Sequence, residues 1–383
     1  MQAIDFTSDR AGKLVQTAQG NPAFVPHPLP PSVDLLPFVG VLSAADRGLG
    51  HLAGIARALP NPRLLFGPFS RREAVLSSRI EGTQASLTDL AVYSAAPEAT
   101  PRTRDVREVA NYVDALVYAV DPGRKLPVSL RLIRELHRIL LNGVRGGEQT
   151  PGEFRTVQNL IGAPGATEET ATLVPPPAPD MKKSLDAFER YLHAASDLPP
   201  LVRLALIHYQ FEGIHPFLDG NGRVGRLLVT LLLREEKLLD QPVLYLSAFF
   251  EKYRKEYYER LLAVSQRGEF EQWIRFFLEG VRTQSEDAVR RADRLHALRE
   301  EYRERLKRAK ASGLQYQILD LLFERTVLSA TTVVRELGVT HRSAMLSLRE
   351  FKAMKLVTEP IERKRYRVFW AEAIDNLLEA DSA

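Results

Sequence analysis

Twelve consecutive residues, His215-Pro216-Phe217-Leu218-Asp219-Gly220-Asn221-Gly222-Arg223-Val224-Gly225-Arg226, bring one imidazole, one carboxylate, two guanidinium groups and three glycines into a single turn. Each residue type suits one part of chemistry on a nucleoside triphosphate. An ordinary histidine titrates near pH 6.5, so His215 suits proton abstraction at neutral pH. Asp219 suits Mg²⁺, which takes one or two carboxylates and shares substrate phosphates. Arg223 and Arg226 suit phosphate oxygens, because the guanidinium fork donates two parallel hydrogen bonds. A helix beginning near Asn221 or Gly222 aims unpaired N–H groups and its positive dipole end at the same place. Gly220 and Gly222 carry no Cβ, so a phosphate can approach the backbone closely.

Two apolar helices must position this turn. Leu201 to Ile207 belongs to the one before it; Val224, Leu227, Leu228, Leu231, Leu232 and Leu233 line the one after. The preceding helix argues against a dinucleotide site, although Gly220, Gly222 and Gly225 match G-x-G-x-x-G, because that fingerprint follows a strand. His208, Glu212 and His215 share a helical face and raise the question of zinc. Pro216 and Phe217 follow at once, and no open-site arrangement is evident. A satisfied, buried histidine beside a surface turn is the plainest alternative. The carboxylate, two arginines and three glycines within twelve residues weigh against it.

Further out, helical periods are expected over 70–81 (with Gly82 as a stop), 104–119, 128–142, 181–196, 199–213, 221–237 and 247–265. The proline-rich stretch 21–40 cannot form a regular helix and is expected to wrap the surface. A polar, proline-containing break at 95–104 marks a first boundary. Two β-prone runs, Thr156 to Ile161 and Thr172 to Val174, flank a turn-like segment and predict a small β-hairpin within a helical domain. Residues 269–310 read as one or two long helices, the second half charged on most faces, as in a solvated connector.

The tail changes character at Leu314. A helix over 314–323, a second capped by Ser329 and stopped by Gly338, a third capped by Thr340, and short strands at 356–357 and 366–369 give the order of a winged helix-turn-helix. Residues 325–367 hold ten lysines and arginines against four glutamates. His341, Arg342, Arg349 and Lys352 fall on the third helix, and Arg363, Lys364, Arg365 and Arg367 at the wing. This fits phosphate contacts with DNA, and equally an acidic protein surface.

With 383 residues, 45% of them hydrophobic, the chain can bury a large core in two or three domains. The absence of cysteine excludes disulfides, thiolate nucleophiles and zinc–thiolate sites. No export signal opens the chain and no run of 18 apolar residues occurs, so a cytoplasmic protein without a membrane partner is expected.

The loop resembles the Fic family motif H-P-F-x-[D/E]-G-N-G-R-x-x-R and matches it at every fixed position. The resemblance implies a mainly α fold: a Fic-type helical core with a β-hairpin flap, followed here by the winged helix-turn-helix. It implies transfer of AMP from ATP to a Ser, Thr or Tyr hydroxyl of a target protein, with pyrophosphate released. His215 would be the catalytic base and Asp219 the magnesium ligand. Gly220, Asn221, Gly222, Arg223 and Arg226 would hold the phosphates, and Phe217 would anchor the loop. Tyr257 would lie over the nucleotide, with core packing as its alternative. Family members with lysine at the second motif glycine act as kinases, and Gly222 departs from them. Ser77-Ser78-Arg79-Ile80-Glu81-Gly82 resembles the family's inhibitory motif [S/T]-x-x-x-E-[G/N]. Ser77 and Glu81 then share a helix face, and Glu81 would pair with Arg226 in place of the γ-phosphate.

The expected organisation is an N-terminal region 1–100 with an inhibitory helix at about 70–82, a catalytic core 101–285, a helical connector 286–310 and the tail domain 311–383. The expected function is an autoinhibited protein adenylyltransferase using ATP and Mg²⁺ on another protein or on itself. A DNA-binding regulator with nucleotide as ligand, and removal of AMP by the same site, stand as alternatives. A homodimer is left open.

Overall fold

The computed structural model describes residues 1–58, 61, 63–95, 104–121, 123–124, 126–359 and 367–380. The expected break at 95–104 and the wing residues Arg363, Lys364 and Arg365 fall almost wholly or wholly outside these. An antiparallel pair, β1 (Gly12–Gln16) and β2 (Pro22–Pro26), opens the chain. Helices α1 (Val39–Ala58), α2 (Arg63–Ile80), α3 (Leu87–Ala95), α4 (Arg104–Val120) and α5 (Leu130–Leu140) follow. After a long irregular segment come α6 (Ala178–His193), α7 (Pro200–Ile214), α8 (Asn221–Glu235), α9 (Ser247–Lys252), α10 (Arg254–Arg267) and α11 (Phe270–Arg308). The tail holds α12 (Gly313–Arg325), β3 (Val327–Ser329), α13 (Ala330–Leu337), α14 (His341–Ala353), β4 (Val368–Trp370) and α15 (Glu372–Glu379).

At the centre lie α7 and α8, packed on one another and buried on nearly every face. A helix without a polar stripe belongs inside a core. α4, α5, α6, α10 and α11 surround the pair. α5 shows how sequence makes such a wall: Leu132, Ile133, Leu136 and Leu140 recur at helical spacing, and Ser129 caps its start by accepting from the Leu132 N–H. Among the described residues, no helix is long and apolar enough to cross a membrane.

Four expectations are corrected. Residues 156–174 form no hairpin of strands; they meet only at one antiparallel bridge, Ile161 with Leu173. Arg155, Gln158 and Asn159 instead tie this segment's side chains to neighbouring carbonyls, and Gly162, Pro164 and Gly165 interrupt any ladder. The helix expected over 247–265 breaks at Tyr253 into α9 and α10. Residues 269–310 form one helix, α11, whose second half is not wholly solvated: Arg291, Ala292, Leu295, Tyr302 and Leu306 are buried, with Arg291 paired to Asp287 at 2.7 Å. The proline-rich stretch also contributes structure, since Pro22–Pro26 forms β2 and buries Ala23 and Phe24.

In the tail, Ser329 and Thr340 cap α13 and α14, and Gly338 ends α13 at φ +67°, each as expected. β3 pairs with β4, and Thr358 bridges Trp370. Two of the basic residues are already partnered: Lys352 and Arg367 both pair with Glu359, at 3.2 and 2.5 Å.

Candidate functional site

The loop between α7 and α8 is held from behind. α7 ends at His215, whose backbone turns left-handed (φ +49°) before Pro216, so the chain leaves the helix abruptly. Phe217 is fully buried and stacks on His137 of α5, ring centroids 3.7 Å apart. The Asn221 side chain accepts from the Phe217 N–H (2.9 Å) and donates to the Phe217 carbonyl (2.8 Å). His137 accepts at Nδ1 from the Gly152 N–H, which leaves Nε2–H to donate to the Asp219 carbonyl at 3.0 Å. Arg155 donates from Nε to the His215 carbonyl and from Nη2 to that of Pro176. Asn159 donates to the Phe217 carbonyl.

His137, Arg155 and Asn159 were not anticipated as site residues. They come from distant parts of the chain, and no local motif marks them. Asn221 was expected to contact phosphate. Its side chain instead binds both polar groups of the Phe217 backbone.

The outward side differs. Gly220 (φ +79°) begins α8, and no side chain caps that end. The first-turn N–H groups of Asn221, Gly222 and Arg223 therefore form an anion cradle. His215 lies beside it, with Nδ1 3.2 Å from the Glu212 carbonyl. Nδ1–H donates there, so Nε2 carries the lone pair. Burial lowers the His215 pKa to about 4, opposed by the Glu212 carbonyl, so the ring is neutral at neutral pH.

Arg223 is 1% exposed, and Nε and Nη1 have no hydrogen-bond partner. Glu108 and Asp219 each stand 3.6 Å from it, beyond hydrogen-bond reach. A buried guanidinium with open donors is costly, and an anion would complete it. Asp219 receives the Gly220 N–H at Oδ1 and keeps its carboxylate 37% exposed. One open carboxylate beside a phosphate cradle fits Mg²⁺, which needs few protein ligands. No cluster of three metal-ligating side chains occurs among the described residues.

Arg226 is already engaged. Nε donates to Ser77 Oγ (2.8 Å), and Nη2 donates to the Ser77 carbonyl (2.9 Å) and to Glu81 Oε1 (2.7 Å). Burial works against the charges of both members of the ion pair. Their mutual attraction wins, holding Glu81 below and Arg226 above their ordinary pKa values. The Glu81 carboxylate lies against Gly222, where any Cβ would collide with it. The residues Ser77, Glu81, Gly222 and Arg226, read from two separate motifs, thus meet at one point.

Tyr257 is closed off from solvent. It is buried, stacks on Phe250, and its hydroxyl donates to His208 Nε2 at 2.9 Å. His208 directs its other nitrogen to the Gly225 carbonyl, which leaves no nitrogen for zinc. The neighbouring Tyr258 is 42% exposed. Burial raises the hydroxyl pKa of both tyrosines, and Glu81 and Arg226 act on both, so both lie within the field of the ion pair. Helical phase alone separates the two tyrosines: adjacent residues on a helix point about 100° apart.

Comparison with known proteins agrees with this architecture. Residues 39–121 match the N-terminal region of the Fic/DOC family, and residues 127–233 match the Fic/DOC family domain. Protein adenylyltransferase Fic of Drosophila grimshawi is 33% identical over 159 residues, covering 41% of this chain and 29% of that protein. The Drosophila melanogaster protein of the same name is also 33% identical, with 28% of its length covered. The matched part thus spans under a third of these relatives. A Fic family protein from Desulfovibrio desulfuricans G20 superposes with a TM-score of 0.56 at 22% identity, covering 90% of this chain and 98% of that one. Fic-1 from C. elegans gives 0.51 at 23% identity, covering 67% and 73%. At those identities the structures speak for the fold.

Proposed function

This chain belongs to the Fic/DOC family, and we propose that it is a protein adenylyltransferase held inactive by Glu81. The observation that carries this reading is the meeting of a neutral His215, an uncapped helix N-terminus and a half-satisfied Arg223 in one loop. That combination suits attack of a hydroxyl on a phosphoryl group better than it suits a passive fold element.

In this reading, ATP lies with its phosphates over the first turn of α8, on the N–H groups of Asn221 to Arg223. Arg223 donates its open N–H groups to phosphate oxygens. His215 Nε2 takes the proton of a target Ser, Thr or Tyr hydroxyl. The oxygen attacks the α-phosphorus, the bond to the β-phosphate bridging oxygen breaks, and pyrophosphate leaves. The negative charge of bound triphosphate raises the His215 pKa toward neutrality, where a base works best. Mg²⁺ bound at Asp219 would neutralise phosphate charge. In this reading the segment around Arg155–Ile161, tied to the loop through Arg155 and Asn159, presents the target backbone.

Glu81 blocks this arrangement in two ways. Its carboxylate puts negative charge at the helix N-terminus, where phosphate would bind. It also takes the Arg226 guanidinium that an outer phosphate would need. Incubation of Glu81→Gly with ATP and Mg²⁺ is expected to add the mass of AMP to the chain or to a partner, above the level of wild type. No gain over wild type would remove the inhibitory reading; addition of phosphate alone would remove adenylyl transfer.

A further inference from the structure

The helix that bears the inhibitory residues is also the helix on which the tail domain sits. α2 reaches the active site with its C-terminal end, at Ser77 and just beyond it Glu81. Its other half packs on α12 and α15. Between the two contacts, Gly67 to Glu81, lie about 21 Å of helix. α2 is also buried against α4, α8 and α9, so its length is enclosed rather than exposed.

The tail end of this helix is held by a charged junction. Gly67 lies so close to the Glu324 carbonyl, at the end of α12, that any Cβ would collide with it. Asn61 donates to the Glu324 carboxylate at 2.8 Å. Arg71 is buried and donates from Nη1 to the same Glu324 carbonyl at 2.7 Å. Its Nε and Nη2 have no partner. Asp375 of α15 faces Arg71 with opposite charge, and Arg325 adds a like charge. Asp375 is buried too; Oδ2 accepts from Trp370 Nε1 at 2.7 Å, while Oδ1 has no partner. α15 is fastened to α11 by Arg291, which donates to the carbonyls of Leu377, Leu378 and Ala380.

A buried junction with three open polar valences is poorly matched to a single permanent arrangement. The other end of α2, by contrast, makes three good hydrogen bonds to Arg226. The helix therefore joins a firmly closed latch to a loosely satisfied mount. Within it, Pro68 removes one rung of the helical ladder beside Gly67, and on the side toward Ser77 Arg71 supplies a hydrogen bond to the tail.

We propose that the tail domain holds α2 in its inhibitory register, so that loosening α12 and α15 from α2 releases Glu81 from Arg226. The proposal rests on Glu81 being inhibitory and adds the element that controls it. Signals to the active site would then enter through the tail, whose α14 leaves His341, Arg342 and Arg349 exposed for a ligand.

The test uses the full chain with Arg71→Met, which removes the charge but keeps an extended apolar side chain, and separately Asp375→Asn, which alters only the tail side. Both are compared with wild type and Glu81→Gly for AMP incorporation from ATP and Mg²⁺. Amide hydrogen exchange across residues 77–82 is followed in parallel. Both variants are expected to raise incorporation at least fivefold and to speed exchange at 77–82 at least tenfold. Neither should add to the incorporation of Glu81→Gly when combined with it. Unchanged exchange and incorporation in folded variants, with Glu81→Gly still activated, would overturn the coupling alone. Absence of activation in Glu81→Gly would overturn the inhibitory reading, while exchange would still report whether α2 loosens. A thermal melt identifies any variant that is unfolded. Should Arg71→Met unfold, Asp375→Asn decides the question by itself.

Discussion

On its inward side, the loop from His215 to Arg226 is tied down by complete pairs. Asn221 satisfies both the N–H and the carbonyl of Phe217, His137 uses both ring nitrogens, and Arg155 reaches three carbonyls. On its outward side, the polar groups are open or contested. Arg223 has two buried donors without hydrogen-bond partners, the start of α8 has no side-chain cap, and Arg226 is held by another helix. A buried N–H or carboxylate left open costs free energy, so a fold that keeps several in one place is shaped for something it does not itself supply. The difference teaches where structure ends and function begins, within twelve residues that share one motif.

The largest expected break in this comparison is on the outward side. In a Glu81→Gly background, His215→Ala should lower AMP incorporation by about 100-fold or more, the loss typical of a general base, with little change in thermal melting. A drop below tenfold would mean that the proton leaves by another route. On the inward side, Asn221→Ala should act through stability. It leaves the buried N–H of Phe217 unpartnered, at about 1–3 kcal/mol, and its carbonyl with Asn159 alone, read as a lower midpoint in denaturant unfolding. If stability held while nucleotide affinity fell, Asn221 would belong to the ligand side after all.

The two adjacent tyrosines give a finer test. Tyr257→Phe should cost about 1 kcal/mol of stability through the lost bond to His208 and leave the KM for ATP unchanged. Tyr258→Ala should do the reverse, raising the KM for ATP with the melting midpoint unchanged. The smallest effect is spectroscopic. Burial depresses the His215 pKa to about 4, below the ordinary 6.5. Its ring therefore stays neutral as pH falls from 8 to 5 and takes its proton only below that. The His215 ring resonances followed by NMR should be flat over that range in the ligand-free chain and should begin to titrate higher once ATP is bound. A midpoint near 6.5 without ligand would show a solvated ring instead.

Much of the site was readable from contiguous residues. The helix starts and stops around Ser329, Gly338 and Thr340 follow from capping groups a few positions away. The two motifs together place Glu81 against Arg226. Other readings failed for identifiable reasons. The β-prone run at 156–161 has strand composition, yet its side chains are tied to carbonyls of the loop and of Pro175–Pro176, and a strand needs a partner edge that glycine and proline deny it. The charged face of α11 looked solvated because periodicity cannot show that α15 lies over Arg291.

By itself the sequence determined the chemistry available at the loop: which group can take a proton, which can hold phosphate, and which carboxylate can contest it. These depend on residue type and on spacings of a few positions along one helix or turn, where local geometry leaves little choice. Only the tertiary structure decided which of those groups are free. It used the side chain of Asn221 for the loop, buried Tyr257 and left Tyr258 exposed, brought His137 and Arg155 in behind the turn, and packed α12 and α15 on α2. Each of those outcomes turns on contacts between residues far apart in the chain, and on which hydrogen-bonding atoms those contacts leave open.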